Sequence, residues 1–110
     1  MFPKVIKKRY VFLDIANHGN SAKAKGIVAV CLKMSIPDSL VGYTASKRVG
    51  NAVKRNFAKR RMRALVREFS DLFNLGDAFV FIANRNTVDM KFSDLKNDFR
   101  KVIVKARDGR

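Results

Sequence analysis

Hydrophobic and polar positions along the chain predict a short alternation of helices and strands. From Lys7 to His18 the apolar residues Val11, Phe12, Ile15 and Ala16 recur at helical spacing, and Gly19 follows as a stop. Residues 20–26 are polar and end in glycine, the composition of a loop. Ile27 to Leu32 is a short apolar run rich in Val and Ile, better suited to a strand than to a helix. Ile36-Pro37-Asp38-Ser39 has turn chemistry, and Val41 to Ser46 alternates with the period of a half-covered strand. A long helical pattern then runs from Asn51 to Phe73 and closes at Asn74-Leu75-Gly76. Ala78 to Ala83 is continuously apolar, a strand covered on both faces. Ser93 caps a last helix, with Asp94 in its first turn and a core stripe of Leu95, Phe99, Val102, Ile103 and Ala106. The order α-β-β-α-β-α predicts an α+β sandwich with helices packed on a small sheet.

Composition narrows this picture. A chain of 110 residues makes one domain with a single core. A hydrophobic fraction of 47% and 9 Phe exclude a disordered basic tail. Against 9 Asp+Glu stand 24 Lys+Arg, a net charge of +15 that favours a polyanionic partner. The lone Cys31 builds no disulfide framework, which suits a reducing cytoplasm, and it reads as a buried, inert thiol. No apolar run approaches the ~20 residues that span a bilayer, and the start lacks the apolar stretch of a signal peptide. The expectation is a cytoplasmic protein with no membrane contact and no obligate protein partner.

The charge is not spread evenly. Between Asp38 and Glu68 there is no acidic residue, while Lys47, Arg48, Lys54, Arg55, Lys59, Arg60, Arg61, Arg63 and Arg67 all fall there. With Val53 at zero on a helical projection, Ala58, Met62, Leu65, Val66, Phe69, Leu72 and Phe73 fall at roughly 100° to 220°. Asn56, Lys59, Arg60, Arg63 and Arg67 fall at roughly 240° to 340°, the opposite side. A solvated charged face usually mixes signs, because like charges three and four apart repel. This face suits phosphates. Arg55 projects toward the apolar side near the helix start, from where it could reach across the sheet edge. Phe57 projects among the cations, so it either packs under the preceding loop or stacks on an unpaired base.

Catalytic chemistry is not visible. His18 has no partner at metal-ligand spacing, GxGxxG and GxxxxGK[ST] are missing, and no Ser-His-Asp set or carboxylate pair stands out. The residues alone leave two nucleic-acid-binding classes open. One is a ribosomal-protein-like RNA-binding module. The other is a DNA-binding regulator, although a strand and loop, not a short helix and turn, precede the basic helix.

The segment VGYTASKRVGNAVKRNFAKRRMRALVRE resembles the signature of the protein subunit of bacterial ribonuclease P. The matching positions are Val41, Gly42, Ser46, Lys47, Arg48, Gly50, Asn51, Ala52, Val53, Arg55, Asn56, Lys59, Arg60 and Arg63. Weaker likeness extends over Lys8-Arg9 with Phe12 and His18-Gly19, over Phe79 to Arg85, and over Phe92 to Phe99. The resemblance implies a left-handed strand–helix–strand crossover, against the usual right-handed rule. It also implies that a catalytic RNA cuts the 5′ leader from precursor tRNA, using Mg²⁺ held mainly by RNA. Lys47, Arg48, Lys54, Arg55, Asn56, Lys59, Arg60, Arg63 and Arg67 would then contact RNA, while Phe12 and Val30 would belong to the cleft for the single-stranded leader. The family's second Arg in R-N-R is Phe57 here, and two aromatic positions of the cleft correspond to Ala16 and Val30.

Overall fold

The structure, a computed structural model, describes residues 2–109. In chain order its elements are β1 (Lys4–Val5), α1 (Arg9–His18), β2 (Asn20–Lys23), β3 (Ile27–Lys33) and β4 (Leu40–Thr44), followed by α2 (Ala52–Glu68), β5 (Asp77–Ala83), α3 (Arg85–Asp89) and α4 (Phe92–Asp108). Single 3-10 turns at Lys47–Val49 and Ser70–Leu72 flank α2. The strands form one sheet in the order β1-β4-β5-β3-β2. β1, β4 and β5 run parallel to one another, whereas β3 is antiparallel to β5 and β2 antiparallel to β3. α2 therefore joins two adjacent parallel strands, β4 and β5, as a crossover.

Side chains alternate across β5, and each set has its own cover. Phe79 and Phe81, with rings 5.4 Å apart and stacked, meet Phe99 of α4 and the apolar stripe of α2. Ala78 and Val80 face the other way, with Val30, under Ile15 of α1. Burial of both sets explains the unbroken apolar run in β5. Each fully buried Phe contributes roughly 1.5–3 kcal/mol, so the aromatic layer beneath α2 and α4 holds the sandwich together. α1, with 10 residues, is too short to cover its whole face, and Ile6, Leu40 and Ile82 remain half-buried beside it.

Several boundaries differ from expectation. The long helix ends at Glu68, and Ser70–Leu72 continues only as a 3-10 turn, which still carries Phe69, Leu72 and Phe73 onto the core. Residues 20–23 pair with β3 as an edge strand, not a loop. Ser93 lies inside α4, whose N-cap is Lys91 without a side-chain cap bond. β1 and α3 were not anticipated.

Candidate nucleic-acid interface

The basic surface is assembled by local capping. Ser46 Oγ accepts a bond from Arg48 N at 3.3 Å, which closes the 3-10 turn and leaves Lys47 and Arg48 exposed while Val49 anchors it at 3% exposure. Gly50 follows at φ +143°, a conformation that disfavours any side chain. Asn51 Oδ1 then accepts Lys54 N at 3.0 Å and starts α2. Ala58, Met62, Leu65 and Val66 are buried against the sheet. This stripe fixes the rotation of the helix, so Lys54, Asn56, Arg60, Arg63 and Arg67 are exposed and Arg55 and Lys59 half-buried.

Among the described residues, no side chain of Lys47, Arg48, Lys54, Arg55, Lys59, Arg60, Arg63 or Arg67 forms a salt bridge. Glu68 is turned toward Lys96 of α4 at 3.0 Å and neutralises none of them. Arg61 behaves differently from its neighbours. Its Nη1 donates to Thr87 O at 3.2 Å and to Met90 O at 2.5 Å, and its guanidinium lies 4.8 Å from the Phe57 ring and 5.8 Å from that of Phe92. It caps the end of α3. Phe57 is accordingly turned to the α2–α3 junction, half-buried.

Arg85 adds a cation that the sequence reading left out. It lies on α3, a helix that begins with a reciprocal capping pair: Asn84 accepts Thr87 N, and Thr87 Oγ1 accepts Asn84 N at 2.9 Å. That Asn-x-x-Thr spacing was a legible signal. Arg85 Nε donates to Arg48 O at 3.4 Å, so the 3-10 turn and α3 share one surface.

On the other face, a pocket of about 370 Å³ is lined by Ile6, Lys7, Lys8, Arg9, Phe12, Tyr43 and Thr44. Phe12 sits directly above Gly42, where a Cβ would lie 3.1 Å from the ring. Val30, at 4% exposure, supports α1 from below and offers no surface to a ligand. Ala16 is exposed. Tyr43 is half-buried between this groove and α2; burial pushes its phenol up to about 12, although Arg63 and Arg67 act in the opposite direction. Among the described residues, no group of three or more His, Cys, Asp or Glu side chains could hold a metal ion. His18 Nδ1 lies 3.0 Å from Asp14 Oδ1 within its own helix.

This geometry defines a class: a small sandwich with a cationic helix face that has no acidic partners and a grooved sheet face beside it. Comparison with known proteins sharpens it. The sequence model of the Ribonuclease P family matches residues 3–107. A ribonuclease P protein component of Syntrophus aciditrophicus is 34% identical over 100 residues, covering 91% of this chain and 84% of the relative. One from Gluconacetobacter diazotrophicus is 36% identical over 104 residues, covering 92% and 89%. The structure of the Staphylococcus aureus RNase P protein superposes with a TM-score of 0.80 at 27% identity, over 96% of this chain and 97% of that one. The chain belongs to the ribonuclease P protein family. Membership makes it part of an endoribonuclease complex that processes tRNA, in association with ribonuclease P RNA and tRNA substrate.

Proposed function

We propose that the protein docks on the catalytic RNA through α2 and the Ser46–Gly50 turn, and holds the single-stranded 5′ leader of precursor tRNA in the groove between α1 and the sheet. The observation that carries this reading is the set of cations on α2 left without acidic partners. Held apart by a rigid helix, they concentrate positive potential where phosphates can neutralise it. Lys47, Arg48, Lys54, Arg55, Asn56, Lys59, Arg60, Arg63 and Arg67 are the RNA contacts, Arg85 extends the surface, and Phe12 lines the leader groove. In this reading hydrolysis belongs to the RNA, Mg²⁺ is held mainly by the RNA, and the assembly works in the cytoplasm without an obligate protein partner.

Reconstitution tests it. Protein alone should leave precursor tRNA intact, and protein with the catalytic RNA of the same cell should raise cleavage sharply at low Mg²⁺. Tight RNA binding without any gain in cleavage would favour a plain RNA-binding module instead. Cleavage by the protein without RNA would overturn the reading.

A further inference from the structure

At the junction of α2 and α3 the cationic surface is interrupted by an apolar recess of about 410 Å³, lined by Val53, Lys54, Asn56, Phe57, Arg60 and Val88. Val53, in the first turn of α2, is 76% exposed, a large cost in apolar surface left to water beside the cations. A surface that met only phosphates would need no such feature, because phosphates are bound by cations and backbone N–H groups. What an apolar recess ringed by cations and an amide does fit is one nucleobase with its flanking phosphates. A base has a π-face for stacking and an edge of donors and acceptors, and it is available for such contacts when unpaired.

We propose that this recess binds a single unpaired nucleobase of the catalytic RNA, with Phe57 as the stacking surface; the inference rests on the docking reading above. Val53 and Val88 form the apolar walls. Asn56 is exposed at the rim, and its amide presents two donors and an acceptor to the base edge. Lys54 and Arg60 stand where the adjoining phosphates would lie.

The platform is built before RNA arrives. Arg61 lies over the Phe57 ring at 4.8 Å and is itself fixed by the carbonyls of Thr87 and Met90. Arg61 does not line the recess, whereas Arg60 does and also lies over the ring at 6.0 Å, so base stacking on Phe57 requires the exposed Arg60 side chain to swing from the ring toward a phosphate. A ring already immobilised loses little further freedom on binding, which favours affinity. Where the family places a second arginine, this chain exchanges a phosphate contact for a base contact.

The test compares wild type, Phe57→Leu and Phe57→Tyr as full chains with the catalytic RNA of the same cell. Affinity at fixed salt, the salt dependence and the melting temperature are measured for each. Phe57→Leu keeps apolar volume but has no π-face, and should weaken binding roughly 5- to 150-fold, the equivalent of about 1–3 kcal/mol of base–aromatic stacking. Its salt dependence should not change, since no cation is lost, and Phe57→Tyr should bind like wild type. Base-specific chemical probing should find one unpaired base protected by wild type and reactive with Phe57→Leu, while backbone protection persists. Unchanged affinity per folded Phe57→Leu molecule, or a lowered melting temperature as its only effect, would overturn the recess and leave the docking reading standing. Wild type that fails to bind the RNA would overturn both.

Discussion

Arg107 Nε lies 2.9 Å from Oδ2 of Asp77, so the last turn of α4 is tied to the first residue of β5. Asp77 is fully buried, and the same oxygen accepts Asn74 N at 3.0 Å. Its Oδ1 accepts no directed hydrogen bond, although Lys33 Nζ lies 3.1 Å away. Arg107 also donates to Leu72 O, in the turn that ends the α2 region. One carboxylate thus joins β3, β5, α4 and the exit from α2. Arg107→Ala leaves that buried carboxylate with the Asn74 N–H and one exposed cation, Lys33, and should cost about 3 kcal/mol or more of folding stability. Denaturant unfolding checks this, and RNA affinity per folded molecule should stay unchanged, because neither residue belongs to the proposed RNA contacts.

Neighbouring arginines on α2 should separate cleanly. Arg60→Ala and Arg63→Ala remove exposed cations, so each should reduce the salt slope of RNA binding by about 1 and leave the melting temperature nearly unchanged. Arg61→Ala removes two bonds to carbonyls of the α3 region and two ring contacts. It should cost roughly 1–3 kcal/mol of stability, the penalty of leaving such groups unpaired. Thermal melting and salt titrations on the three variants would expose the reverse pattern at once.

How far the sequence could foresee this follows from range. The stripe Ala58, Met62, Leu65 and Val66 was legible because periodicity is local, and it fixed the rotation of α2 and hence the cationic face. Periodicity leaves Arg61 off that face without giving it a role, because its acceptors, Thr87 and Met90, belong to a short helix and its end that no periodic pattern marks. β2 escaped notice for a similar reason: in Asn20–Lys23 only Ala22 is buried, and pairing along β3 supplies what its composition lacks. Val30 was assigned to the groove from its place in the motif, while its burial depends on how α1 crosses β3.

Across the whole interface, about six cations displacing counterions should give a slope of log K against log salt of roughly −4 to −5. A slope near zero for wild type would mean that α2 meets the RNA by some means other than phosphate neutralisation.

Burial, with the nearby charge of Asp77, pushes the Cys31 thiol up to about 11 from an ordinary 9.0. Between these values the unfolded chain loses the proton and the folded chain keeps it, so stability present below pH 9 is lost as pH rises toward 11. The shift corresponds to roughly 3 kcal/mol as an order of magnitude. Lysines titrate in the same range, so the informative quantity is a difference. The stability of wild type minus that of Cys31→Ala should fall between pH 9 and pH 11. A difference that stays flat with pH would show that the thiol is hydrated in the folded protein.

The leader groove offers the last test, through Gly42. A Cβ there would lie 3.0 Å from Ile6 Cδ1 and 3.1 Å from Phe12 Cδ2, closer than ordinary side-chain contacts. Gly42→Val should therefore displace the Phe12 ring from the floor of the groove while β4 keeps its pairing to β5. Strand propensity favours the valine, so the strand itself should tolerate the change. Phe12→Ala removes the same ring outright, at some cost to the packing under α1. In the assembled complex, both variants should weaken precursor tRNA binding several-fold relative to wild type when a leader is present. Neither should alter binding of mature tRNA or of the catalytic RNA, whose proposed contacts lie on α2. Equal losses with and without the leader, measured on assemblies of equal stability, would remove Phe12 from leader recognition.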